Sequence, residues 1–185
     1  MKTRFIPKRT DYDGSQLRSC FAMSELGISG DSIVSFVGAA AVKEHMVDME
    51  DKKNKEFIYS DSMLHFIIEH FDRDLEKAVI RKRLFLSIIM DEINKRSGKR
   101  RKLFRSSNGL YEGKRKPTVA VATTSPVSTL IHVGLNITEE GAPVKVACLR
   151  DYRIEPKKFA LDLMRRYHDE MKSVSGSTRK VKGVL

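Results

Sequence analysis

Only two cysteines occur in the 185 residues, Cys20 and Cys148, and they form no CxxC pair. Their scarcity excludes a disulfide framework and a zinc ribbon, and it makes a reducing cytoplasm the expected setting. No apolar run approaches the roughly 18 residues of a membrane-spanning helix, so no membrane partner is expected. The N-terminal stretch MKTRFIPKRTDYDG carries basic residues without the apolar segment of a signal peptide. Neither a Walker A loop nor GxGxxG is present, which removes the P-loop and Rossmann cofactor sites, and no cofactor is specified. Tryptophan is absent as well, which excludes nothing. There is no internal repeat.

What is present fits one globular domain: 41% hydrophobic and 32% charged residues, in a chain long enough to bury its own core. The expected boundaries are 1–174 for the domain and 175–185 for a mobile basic tail. The net charge of +11 is uneven. Residues 11–94 hold 10 basic and 16 acidic side chains, whereas 95–116 hold 10 basic and one acidic. Such clusters attract phosphates. In that basic insertion Lys99, Arg100, Arg101, Lys102 and Arg105 are the expected nucleic-acid contacts, joined by residues 179–182.

Local patterns set the expected elements. Phe5-Ile6 reads as a short strand, Asp11–Gly14 as a turn, and Ser15 as the cap of a helix to about Leu26 with Gly27 at its C-terminus. Ile33–Val37 reads as a strand between Gly30 and Gly38. From Asp61 to Phe71 the apolar spacing is helical, and a second, longer helix runs from Leu75 to near Gly98. Asn108-Gly109 is a turn signal. Strands at 117–124 and 127–137 are expected to pair antiparallel, Val144–Leu149 to add another strand, and Pro156 to open the last helix.

The strand SPVSTLIHVGLNI carries the main chemical puzzle. Alternate residues place Ser128, His132 and Asn136 on one face. Residues i and i+4 on a strand lie about 13 Å apart, so these three cannot form a nucleophile–base pair with one another. They can line a pocket wall. Thr118, Ala120, Ala122 and Thr124 form a face of small side chains on the neighbouring strand, leaving room beside it. The competing reading is a core strand whose His132 and Asn136 bond to backbone groups.

Other candidates cluster by sequence. EHMVDMED groups Glu44, His45 and Asp48 as supporting acid–base residues. On a helix, His65 and Glu69 would share a face at i,i+4, but HxxxEH has neither zinc-protease spacing, and no metal is expected. Asp13, Ser15, Gln16 and Arg18 surround a turn where backbone amides could hold an anion and Arg18 could clamp it. Lys116, at the start of a strand of small residues, could reach a phosphate or carboxylate.

Five blocks together, DGSQLRS (13–19), GDSIVSF (30–36), EHMVDMED (44–51), MLHFIIEHFD (63–72) and SPVSTLIHVGLN (125–136), resemble the small archaeal and bacterial proteins of domain-of-unknown-function family 366. That family brings no activity with it. A weaker resemblance is to biotin and lipoate protein ligases, with catalytic domains akin to class II aminoacyl-tRNA synthetases. It rests on Ser15-Gln16, on Lys114-Arg115-Lys116 and on Val133-Gly134-Leu135-Asn136. It implies a substrate carbonyl or phosphate contact for Lys116 and a pocket or metal–phosphate contact for Asn136. The ligases' GRGR-type loop has no counterpart: GAAAVKEH stands in its region, and Pro117 follows Lys116.

The expected fold is therefore α/β of the α+β type, with a mixed, mostly antiparallel sheet and helices mainly on one face. The expected function is an enzyme of transferase or ligase type acting on a nucleotide-like or other anionic substrate, with His132 binding substrate or moving a proton. The alternatives are an enzyme modifying a base in DNA or RNA, and a non-catalytic nucleic-acid-binding protein. A homodimer is left open.

Overall fold

The computed structural model describes residues 1–43, 45, 47, 53, 58–98, 102–106 and 109–184. A five-stranded sheet runs in the order β1-β2-β3-β7-β6. Its strands are β1 (Lys2–Phe5), β2 (Ser32–Val42), β3 (Ile58–His70), β6 (Thr118–Thr124) and β7 (Thr129–Asn136). β1 pairs parallel to β2 and every other pair is antiparallel. A short hairpin, β4 (Phe104–Ser106) with β5 (Gly109–Tyr111), forms a separate two-stranded sheet. This is the expected mixed, mostly antiparallel α+β domain.

Two long helices cover one face of the sheet. α2 (Leu75–Ser97) starts at Asp74, whose carboxylate accepts the Lys77 N–H at 2.9 Å. That bond satisfies one of the amides a helix start leaves unpaired. α3 (Pro156–Thr178) starts at Glu155, which accepts from Lys157 and Lys158, with proline in the first turn. The helices bury Phe85, Ile89, Phe159 and Leu163 against Phe66, Ile68, Ile131 and Val133 of the sheet. α3 runs on to Thr178, into the stretch expected to be tail, and residues 172–184 are exposed.

The opposite face carries a smaller core of Tyr12, Phe21, Ile28, Val34, Phe36 and Ile67, under the short helix α1 (Phe21–Leu26). β3 is thus covered on both sides, and this corrects the helix expected over 61–71. A strand buried on both faces reads as a continuous apolar run, and such a run mimics helical spacing. His65 and Glu69 consequently sit on one strand face. Two smaller corrections follow. Ser15 does not cap α1, which is preceded by Cys20 in the left-handed region at φ 60. Residues 144–148 form no strand and lead instead into a 3-10 turn, Leu149–Tyr152.

The N-terminal segment continues beside β2 past β1. Thr10 donates to Val37 O, Tyr12 to Ala39 O, and Ala41 returns a bond to Tyr12 O. Gly38, at a β-bulge, makes this approach possible, because a Cβ there would lie 1.9 Å from Thr10 O. The bulge therefore carries Tyr12 onto the second face of the sheet.

Candidate functional site

The register decides what lines the second face. β3 contributes Met63, His65, Ile67 and Glu69, and β7 contributes Ser128, Leu130, His132, Gly134 and Asn136. Gly134 lies opposite His65, and His132 lies opposite Ile67 on one side and Val121 on the other. The small-residue face of β6 is not part of this wall. Ala120 and Ala122 pair with Val133 and Ile131, which face the helices. Val119, Val121 and Thr123, all half-buried, flank His132 instead. The pocket expected between the 118–124 and 128–136 faces is corrected accordingly: one residue of register moves every side chain to the other side.

Each polar residue of the β7 row meets a partner. His132 Nε2 lies 3.1 Å from His65 Nδ1, both rings fully buried. Ser128 Oγ donates to Glu69 Oε1 at 2.7 Å, and that same oxygen accepts the Cys20 N–H at 2.8 Å. Asn136 Nδ2 reaches Pro117 O at 3.4 Å, alongside a backbone bond from Asn136 N at 3.0 Å. These are separate local pairs, as the 13 Å spacing along a strand requires, at about 3.3 Å per residue.

The two imidazoles form the least ordinary feature. Tyr12 stacks on His132 at 3.8 Å between centroids with 15° between planes, and on His65 at 5.1 Å; Phe36 lies 5.1 Å from His65 with its ring tilted by 31°. Burial pulls the His65 pKa down to about 4, against smaller opposing effects of the Gly38 and Ala39 backbone and Asp11. Burial first, and then its neighbour His65, hold His132 well below the ordinary histidine value. Both rings are neutral at pH 7, so one shares its single N–H with the other. Burial, and then the charge of Asp13, also raise the Tyr12 phenol. A proton added at His132 would charge a buried ring, and both burial and the neighbouring His65 oppose it.

The turn expected to bind an anion is instead internally bonded. Asp13 Oδ1 accepts from Ser15 N and Ser15 Oγ, chiefly lowering the Asp13 pKa, and Gln16 Nε2 donates to Asp11 O. Arg18 is ion-paired with Glu25 at 2.6 Å and lies over the Phe21 ring, contacts that fasten it to α1. His45 is exposed, and its Cβ would lie 2.7 Å from a Cβ at Gly14, beside the same turn. Lys116 crosses Gly109 of the hairpin, where a Cβ would meet its Cε at 2.9 Å, and it precedes Pro117, whose carbonyl receives the Asn136 bonds. Glu44, Asp48, Lys99, Arg100 and Arg101 lie outside the described residues. Among the described residues no group of three or more His, Cys, Asp and Glu side chains is placed to hold a metal.

Sequence reasoning passed over Tyr12 and misread His65 and Glu69. Alternation along MLHFIIEH would have paired Met63-His65-Ile67-Glu69 with the β7 row, had the segment been taken as a strand.

This mixed sheet with two long helices on one face is an α+β domain similar in fold to biotin and lipoate protein ligases. It aligns with the biotin protein ligase of Aquifex aeolicus in complex with biotin and ATP at TM-score 0.60 and 12% identity, over 91% of this chain and 70% of that one. Lipoate protein ligases share the fold as well. A protein of unknown function from Pyrococcus horikoshii aligns over the full length of both chains at TM-score 0.94 and 33% identity. An uncharacterised protein of Methanocaldococcus jannaschii is 32% identical over 97% of this chain and 84% of its own length. The family described as Domain of unknown function (DUF366) matches residues 1–182, and the chain belongs to that family. No helix among the described residues is long and apolar enough to cross a membrane.

Proposed function

We propose that the protein is an enzyme of transferase or ligase type that binds a nucleotide-like or other anionic small molecule on the second face of the sheet. The ligand would lie along the half-buried strip of Val119, Val121 and Thr123, beside His132. The observation that carries this reading is the neutral His65–His132 pair under Tyr12. A core needs no imidazoles, and burying two of them costs free energy that packing alone does not demand. In this reading His132 exchanges a proton with substrate, His65 positions it, Asn136 borders the strip, and His45 stands beside the Gly14 turn. Asp13, Ser15 and Gln16 hold the turn that seats Tyr12, so they act through position. The kinship of fold with a ligase solved with biotin and ATP supports a small-molecule site. It supports nothing finer at 12% identity.

The test is binding to the purified full chain. Bound small molecules are sought by mass spectrometry of protein extracts, and thermal shifts are measured with ATP, biotin and lipoate. At least one of these probes is expected to raise Tm in the wild type and not in His132→Gln or in Val121→Trp, which fills the strip. No bound molecule and no shift with any probe would end this reading, as would shifts that both variants leave intact.

A further inference from the structure

The basic segment divides into two kinds of residue. Arg96 is held by Glu92 and by Asp162 at 2.7 Å, and Arg115 by Glu112 and by Asp151 at 3.1 Å. Those cations belong to the fold. Lys102, Arg105 and Lys114 are exposed and pair with no carboxylate among the described residues.

The unpaired set surrounds the β4–β5 hairpin, which is built as a fixed platform. Three-residue strands do not hold together alone in water. Here Leu103 and Leu110 are buried in the main core. Asn94 of α2 accepts the Leu103 N–H at 2.7 Å and donates to Leu103 O at 3.0 Å, while Leu110 N donates to Thr118 Oγ1 of β6 at 3.3 Å. With Leu110 turned inward, its strand neighbour Tyr111 and the opposing Phe104 face outward. Their rings stack at 5.8 Å with 22° between planes, and Phe104 is 50% exposed. Nothing inside the molecule requires an exposed aromatic stack set among unpaired cations.

We propose that this hairpin is a docking surface for single-stranded nucleic acid, a base stacking on Phe104 and phosphates meeting Lys102, Arg105 and Lys114. Every base has a π-face, so an exposed ring serves any sequence, and cations beside it follow the backbone. Charge complementarity selects a polyanion: residues 95–116 carry 10 basic side chains and one acidic. The stack selects nucleic acid among polyanions, since heparin and lipid headgroups offer no base. The hairpin packs through Leu103 and Leu110 into the helix-side core, and the observations behind this proposal are not those that carry the small-molecule site.

Fluorescence anisotropy with the full chain and a labelled 12-nucleotide single-stranded RNA, over a series of salt concentrations, tests this. Phe104→Ala is expected to weaken RNA binding about tenfold while leaving heparin binding unchanged. Lys102→Gln with Arg105→Gln and Lys114→Gln should lower the slope of log affinity against log salt by about 2. Phe104 and the three cations are exposed, and an unchanged Tm in each variant confirms folding. RNA affinity within twofold of wild type in Phe104→Ala overturns the proposal. So does equal loss of RNA and heparin binding in that variant, or tighter binding to anionic vesicles than to RNA.

Discussion

The two faces of the central sheet are built from alternate residues of the same strands, yet they solve burial differently. Toward the helices, Leu64, Phe66 and Ile68 of β3 meet Ile131, Val133 and Leu135 of β7, and the packing is mainly apolar, with His70 at its end bonded to Tyr167. Toward α1, the interleaved positions hold His65, Glu69, Ser128, His132 and Asn136, all buried. The first face supplies the hydrophobic free energy of the fold. The second spends some of it on desolvating polar groups, most of which find a partner among the described residues, His65 Nε2 being left without one. A function is more readily sought on a face that departs from packing economy than on one that obeys it.

The comparison is broken most severely on the apolar side. Phe66 packs edge-on against Phe85 at 5.1 Å, both fully buried, so Phe66→Ala should cost about 3–5 kcal/mol in urea unfolding. On the polar face the largest effect is a pH dependence. His65 has a native pKa of about 4 against an ordinary 6.5, so between those values the unfolded chain binds more protons than the native one. Stability therefore falls as pH drops from 6.5 toward 4, by up to about 3 kcal/mol for this group alone, and His132 acts in the same direction. Urea titrations at pH 7 and pH 4.5 should show the loss, and His65→Leu combined with His132→Phe should flatten it. Asp31, lowered to about 2 chiefly by its hydrogen bond with His70, adds a separate loss only at pH below its ordinary carboxylate range. That second loss should persist in the double variant.

A smaller effect is expected at Glu69. Glu69→Ala leaves the Ser128 hydroxyl and the Cys20 N–H without their acceptor, and should lower stability by about 2 kcal/mol in the same urea assay. The smallest belongs to Arg18, whose pair with Glu25 is about half exposed. Arg18→Ala should change stability by less than about 1 kcal/mol. It should also leave probe binding on the sheet face unaltered. A loss of binding there would return Arg18 to the role of anion clamp and redraw the polar face around it.

Much of the fold was legible in the sequence. The starts of the long helices near Leu75 and Pro156, the left-handed Gly27 and the β6–β7 hairpin across Ser125-Pro126 follow from local chemistry that tertiary packing leaves intact. The polar row Ser128, His132, Asn136 was visible as an alternation, and its residues do share one face. Its partners were not visible. His65 and Glu69 belonged to a segment whose apolar spacing imitated a helix, and Tyr12 reaches the row only because Gly38 lets the N-terminal segment approach β2. Lys116 shows the same dependence on context: charge and position suggested a ligand contact, and its packing against Gly109 of the hairpin could not be read from the sequence.

The amino-acid sequence by itself determined the two long helices, the pairing of the last two sheet strands, the family and the uneven charge. Each depends on neighbours within a few residues, or on patterns that survive without three-dimensional context. Only the tertiary structure decided which face of β6 borders His132, which histidine pairs with which, and which cations are held in ion pairs of the fold. Those depend on register and on contacts between residues as far apart as His65 and His132. A shift of one residue in register would reverse the two faces while leaving every local pattern unchanged.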